Sequence, residues 1–267
     1  MRAISLASGS KGNSTYISSD DVNILVDIGL SCLNIEKRLK KIGVNPSNID
    51  AILITHEHTD HCKGIGVFAK KYGTKVYFPQ CGYDFLIGQL MGVNPKQIIP
   101  FTSSQFTIKN TTINAFELPH DSHFCYGYSI EKNGQKISIA TDLGHTNYKI
   151  IQNLQNSDIV FLESNHDENL LINNPNYSAS LKSRILSPRG HLSNINCAKT
   201  IEQLVYSGVK QVILAHLSEE NNTPILAYNT IVDYLKSVGI IEGKHVFIDI
   251  APQHDVGNLF EIRNTII

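Results

Sequence analysis

Short unbroken apolar runs alternate along this chain with stretches in which apolar residues recur every third or fourth position, the pattern of strands and amphipathic helices in succession. The N-terminal part predicts strands over 3–7, 15–17 and 23–27, the first two joined by SGSKGNS. Helices follow over 32–42 and 63–72, stopped by Gly43 and Gly73, with strands at 51–55 and 75–78 and a third helix over 80–91 that ends at Gly92. The middle is strand-rich, over 97–101, 105–108, 111–118, 125–132 and 136–141, and Asn133-Gly134 marks a tight hairpin between the last two. Strands over 158–163, 210–216 and 244–250 then alternate with helices over 146–155, 178–187, 193–207 and 224–238, and a strand over 259–263 closes the chain.

Two blocks of strands, each with helices before or beside them, predict two sheets packed face to face with helices outside, a four-layer αββα sandwich of the α/β class. No low-complexity linker or internal repeat divides the chain, so residues 1–267 are expected to form a single domain. At 267 residues, 42 % of them hydrophobic, that domain needs no disulfide staples. Cys32, Cys62, Cys81, Cys125 and Cys197 are odd in number and lack CxxC spacing, and no signal peptide opens the sequence. A reducing cytoplasm is the expected location. No apolar run approaches the roughly 18 residues of a membrane span. A net charge of −1 gives nucleic acid no global attraction, which leaves local basic stretches: KRLKK at 37–41, Lys70 with Lys71, and LKSRILSPRG at 181–190.

Candidate chemistry concentrates where apolar runs end. Residues 52–61 read ILITHEHTDH, a β-branched run that reads as a strand buried on both faces and that leads into His56, His58, Asp60 and His61. Alternation in His56-x-His58 sends both rings to one side, where they can share an ion, and Asp60 and His61 can reach a second. Further ligands belong at other strand ends, and His120, Asp142 and His216 each close such a run. Cys62 reads as a packed residue in the first turn of a helix. His123, His145 and His166 read as hydrogen-bonding neighbours of the ligands. Glycines in the loop 8–14 suit a tight hairpin, and the same loop can offer backbone N–H groups with Ser10 and Asn13 to a phosphate.

HEHTDH with His120, Asp142 and His216, preceded by Asp27 in ILVDIG, resembles the metallo-β-lactamase superfamily over nearly the whole chain. The resemblance implies one divalent ion on His56, His58 and His120, another on Asp60, His61 and His216, and Asp142 bridging them. Asp27 would orient the ligand loop from outside the ligand set. Asp142 stands where the antibiotic-hydrolysing members carry cysteine, which argues for the phosphodiesterase and glyoxalase-like branches. ASGSKGNSTYI, ESNHD at 163–167, GHLSN at 190–194 and AHLSEENNTP resemble the WalJ family, also called YycJ or VicX, whose members are described as DNA exonucleases working from the 5′ end.

The implied mechanism is two-metal hydrolysis, with Asp60 orienting or deprotonating the attacking water, His191 protonating the leaving group and Glu163 orienting His191. Imidazole and carboxylate ligands suit zinc, manganese or iron. DNA, single-stranded or at its 5′ ends, is the expected partner, with Lys182, Arg184 and Arg189 along its path. Two other readings stand beside it: a hydrolase of small phosphodiesters or RNA, and a regulatory protein that keeps the fold without the reaction.

Overall fold

The computed structural model describes residues 1–262. Strands β1 (Arg2–Ala7), β2 (Ser14–Ser18), β3 (Asn23–Val26), β4 (Ala51–Leu53), β5 (Lys75–Pro79) and β6 (Ile98–Phe101) lie side by side in chain order. A second sheet holds β7 (Gln105–Ile108), β8 (Thr111–Glu117), β9 (Tyr126–Lys132), β10 (Gln135–Ala140), β11 (Ile159–Glu163), β12 (Gln211–Ala215) and β13 (Phe247–Ile250), also in chain order. The final strand, β14 (Phe260–Glu261), returns to pair antiparallel with β1. Residue 263 of the strand expected at 259–263 lies outside the described residues.

Helices α1 (Cys32–Lys41), α2 (Thr59–Cys62), α3 (Ile65–Tyr72) and α4 (Tyr83–Leu86) accompany the first sheet. Helices α5 (Tyr148–Leu154), α6 (Glu168–Asn173), α7 (Ala179–Ile185), α8 (Asn194–Tyr206) and α9 (Pro224–Ser237) accompany the second. Three packed clusters define four layers. Leu25 and Ile52 meet Ile35 and Leu39 of α1 and Phe68 of α3. Ile24 and Leu53 meet Tyr128, Phe161 and Ile213 between the sheets, while Val160, Leu162 and Leu214 meet Ile150, Ile201 and Ile231 of the outer helices. Successive residues of β4 thus enter different cores, as a strand buried on both faces requires. The αββα expectation holds.

The helix expected at 63–72 is broken at Gly64, where a Cβ would come within 2.3 Å of the Leu30 carbonyl oxygen. The helix expected at 80–91 shrinks to a 3₁₀ turn and the single turn of α4. Gly82 and Gly88 weaken it, and the chain turns so that the Gln89 carbonyl packs onto Gly66, 1.9 Å from where a Cβ would stand. Helix α6 was not expected. Its sequence ENLLIN has no helical stripe, and it starts on Asp167, whose side chain accepts from the Leu170 N–H at 2.9 Å. The hairpin at Asn133-Gly134 is as expected, both residues having positive φ (52° and 75°).

Pairs β3–β4–β5 and β10–β11–β12–β13 run parallel, so their carboxyl ends lie along common edges of the two sheets. The edges are joined: Tyr128 Oη donates to the Ile54 carbonyl at 2.6 Å and the Tyr126 N–H to the Thr55 carbonyl at 2.9 Å. Open sheets bind ligands beyond their carboxyl edges.

Candidate metal centre

Every candidate ligand leaves from that edge. Strand β4 delivers Thr55 to His58, helix α2 places Asp60 and His61 on its first turn, and Glu163 and His216 stand at the ends of β11 and β12. Asp27, Asp142 and His216 all have left-handed backbone, with φ of 63°, 64° and 56°. Asp and His tolerate this region better than most side chains, yet it still costs about 1–3 kcal/mol at each position, strain of the kind that clusters at functional sites. It turns each side chain across the strand end into one centre.

The rings share one design. His61 Nδ1 meets Asp27 Oδ2 at 2.7 Å, leaving Nε2 3.1 Å from Asp142 Oδ2 and 3.5 Å from Asp60 Oδ2. His216 Nδ1 meets Glu163 Oε1 at 2.8 Å, and its Nε2 is buried 3.7 Å from Asp60 Oδ2 without a hydrogen-bond partner. His120 Nδ1 faces the Gly190 carbonyl at 3.2 Å, with Nε2 3.9 Å from Asp142 Oδ1. His56 Nδ1 meets Thr55 Oγ1 at 3.0 Å and turns Nε2 to His58 Nδ1, also at 3.0 Å. One nitrogen of His56, His61, His120 and His216 is thus fixed from outside while the other points inward, as metal-binding imidazoles require. Buried Asp142 Oδ2 likewise lacks hydrogen-bond geometry to any donor, its 3.1 Å approach to His61 included. Donor atoms about 2.0–2.2 Å from one tetrahedral ion stand about 3.3–3.6 Å apart, so the cluster fits a metal. Groups His56–His58–His120, His56–His61–Asp142 and Asp60–His61–His216 each bring their donor atoms within 4.8 Å of one another.

Charge reinforces this reading. Burial disfavours ionised Asp142, but His216 and His61 beside it hold its carboxyl well below the usual range. Burial opposes a charge on Glu163 as well, and His191 and His216 hold it down at about 2. Conversely, burial resists protonation of both His216 and His61, yet Asp142, Asp60 and Glu163 raise His216 to about 10, and Asp142, Asp27 and Asp60 raise His61 well above the ordinary value. The carboxylates hold protons where cations would sit, and metal uptake displaces them. Burial lowers His56 and His120 instead.

A pH dependence follows for the chain stripped of metal. His61, His191 and His216 are raised, so their contribution is complete below pH 6.5 and fades as pH climbs, for His216 up to about 10. His56, His120 and His166 are lowered, so unfolding gains protons as pH falls below 6.5. Thermal melts in chelator are expected to peak near pH 6.5 and fall on both sides, whereas metal-loaded protein keeps its stability from pH 6.5 to 9. Parallel profiles would contradict the assignment.

Glu163 does more than expected. Its Oε1 is shared between His216 and His191 Nδ1, each at 2.8 Å, while Oε2 accepts the Leu143 and Leu192 N–H groups at 2.9 and 3.1 Å. His191 is partly exposed, and its Nε2 is the ring nitrogen that Glu163 does not engage. Asn13 is buried: its Oδ1 accepts from the Gly9 N–H at 2.8 Å and its Nδ2 lies 2.9 Å from His61 Nε2, whereas Ser10 is exposed at the rim of a cavity beside His191. Thr55 escaped the sequence reading. Its N–H and hydroxyl both donate to Asp27, at 2.8 Å each, and the same hydroxyl lies 3.2 Å from His61 Nδ1. A polar residue closing a wholly apolar strand was the available signal.

Among the remaining histidines, His123 faces Glu57 Oε1 at 2.9 Å and His145 faces the Pro188 carbonyl at 2.8 Å, as neighbours rather than ligands. His166 differs: it is buried with neither ring nitrogen hydrogen-bonded, and burial lowers it to about 4, so it is neutral. Cys62 packs in α2 with its thiol donating to the Glu57 carbonyl. The basic stretch is built into the scaffold. Arg184 pairs with Asp121, Lys182 Nζ donates to the Ile172 carbonyl at 2.7 Å, and Arg189 Nε donates to the His120 carbonyl at 2.9 Å. No helix among the described residues is long and apolar enough to cross a membrane.

Two face-to-face sheets that close a His and Asp cluster over their carboxyl ends define a metal-dependent hydrolase. The chain belongs to the beta-lactamase superfamily, whose domain model matches residues 22–217. It is 36 % identical over 235 residues to exodeoxyribonuclease WalJ of Streptococcus pneumoniae, covering 86 % of each chain. It is 31 % identical over 261 residues to exodeoxyribonuclease YycJ of Bacillus anthracis, covering 97 % of this chain and 93 % of that one. Among solved structures, the metallo-beta-lactamase fold protein YhfI from Bacillus subtilis superposes with a TM-score of 0.71 at 17 % identity, over 97 % of this chain and 99 % of its own.

Proposed function

We propose that this chain is a dinuclear metal-dependent phosphodiesterase acting as a 5′-to-3′ exodeoxyribonuclease, with the whole chain serving as one catalytic domain. The observation that carries the reading is the set of inward-facing donors around Asp142, in a chain whose relatives are named exodeoxyribonucleases. His56, His58 and His120 would hold one ion, Asp60, His61 and His216 the other, with Asp142 between. Zinc, manganese and iron all suit this donor set. Bound there, divalent ions supply Lewis acidity toward phosphate oxygens and lower the pKa of water from 15.7 toward about 7.

The chain's own residues do the rest. Asp60, 27 % exposed beside buried His61 and His216, orients the attacking water and accepts its proton. Glu163 fixes His191 through Nδ1 and, with burial opposing, raises its proton affinity, so that Nε2 delivers a proton to the departing 3′-oxygen as the P–O bond breaks. Asp27 and Thr55 hold His61 in its ligating tautomer. Ser10, beside His191, lies within reach of a neighbouring phosphate or sugar. Asn13 keeps the glycine-containing loop against Asp60, its N–H donating to the Asp60 carbonyl at 2.8 Å.

Protein purified without added ions is expected to carry two metals per chain and to release mononucleotides from the 5′ end of labelled single-stranded DNA. Chelation should abolish release and re-addition of metal restore it. Cleavage confined to RNA or to a bis-aryl phosphate would replace DNA as the substrate, and activity that survives removal of all metal would end the reading.

A further inference from the structure

Helix α7 has no buried residue, although Leu181 and Ile185 stand one turn apart on a single face. Both are half-buried at a cavity of about 160 Å³ that Tyr177, Asn165, Ser218 and His191 also line. We propose that this cavity receives the base of the terminal nucleotide, a subsite that rests on the exonuclease reading and specifies which end of the substrate it engages.

Size limits the occupant to one ring system, since sites for small molecules start at about 300 Å³. Chemistry favours a base over a phosphate. Of the two cationic groups on the wall, Arg184 is already paired with Asp121 and His191 with Glu163, so an anion meets no unpaired positive charge there. Tyr177, Leu181 and Ile185 present an aromatic ring and aliphatic surface to a planar neutral group, and Asn165 and Ser218 add neutral polar edges. Bases stack on aromatic side chains whatever their sequence.

Position identifies the base. The His191 N–H donates to the Ile185 carbonyl at 3.0 Å and the Gly190 N–H to the Ser187 carbonyl at 2.9 Å. A Cβ on Gly190 would lie 2.1 Å from the Ile185 carbonyl oxygen, so the end of α7 is pressed against the loop that carries His191. The cavity wall and the proton donor form one unit. In 5′-to-3′ hydrolysis the departing 3′-oxygen belongs to the terminal nucleotide, whose base therefore lies on the His191 side of the scissile phosphate.

The test compares metal-loaded protein binding thymidine 5′-monophosphate with its binding of 2-deoxyribose 5-phosphate, which lacks the base. We expect the nucleotide to bind about 5- to 150-fold more tightly, the worth of one stacked base. Tyr177→Ala with Leu181→Ser should remove most of that preference, Tyr177→Phe should keep it, and metal content and affinity for 2-deoxyribose 5-phosphate should be unchanged in all. Equal affinity for the two ligands in the parent, or an unaltered preference in the double variant, overturns the subsite. A preserved preference without mononucleotide release from DNA supports the subsite while ending the exonuclease reading.

Discussion

Asp142→Ala is expected to abolish phosphodiester hydrolysis and to lower the metal content of the chain below two ions. Its two oxygens lie 3.1 Å from His61 Nε2, 3.4 Å from His216 Nδ1, 3.7 Å from His191 Nδ1 and 3.9 Å from His120 Nε2, a reach that spans both proposed ligand sets and the proposed proton donor. Loss of one electrostatic stabiliser costs about 10²–10³ in rate, and loss of a shared ligand should exceed that. Asp142→Asn separates chemistry from folding. Asparagine accepts a φ of 64° as readily as aspartate, so the backbone stays while the charge goes. Both variants should fail on DNA and on an aryl phosphodiester. Asp27→Asn provides the contrast: Asp27 touches Thr55 and His61, so metal affinity should fall about 10- to 100-fold and excess metal should restore turnover. Mass spectrometry of native protein reads the outcome, and two ions retained in Asp142→Asn would remove that residue from the shared position.

The candidate ligands were legible because most stand at or just beyond the end of an apolar run, where the sequence itself announces a strand edge. Ordinary alternation placed His56 and His58 on one side. Long-range pairing was not legible. Nothing local says that Glu163 serves His216 as well as His191, or that Arg184 meets Asp121 across 63 positions of sequence. The cations at 182–189 therefore read as a path for DNA, whereas folding assigns Arg184 and Arg189 to the loop that carries His120. Helix 80–91 failed for a related reason, since periodicity cannot register the approach of Gln89 to Gly66. The half-buried apolar face of α7 has the pattern of a core helix, and the cavity it lines exists only once Tyr177 and His191 are brought beside it.

His191→Ala is expected to keep both metals and slow cleavage of DNA by about 10²–10⁴, the usual worth of a general acid. His191 stands outside the ligand groups of His56, His58 and His120 and of Asp60, His61 and His216, and its Nδ1 is held by Glu163. It does, however, belong to a possible donor group with Asp142, Glu163 and His216, so metal content must be measured beside rate. The substrate then discriminates between roles. An alkoxide leaves with its electron pair only when a proton arrives, whereas a nitrophenolate leaves without one. Hydrolysis of a bis-aryl phosphate should therefore proceed in the variant at nearly the parent rate while DNA cleavage collapses. Glu163→Gln should resemble it on DNA but slow both substrates, because Glu163 also fixes His216. Loss of an ion in His191→Ala would make the residue a ligand, and equal slowing on both substrates would assign it to charge stabilisation at the phosphate rather than to proton delivery.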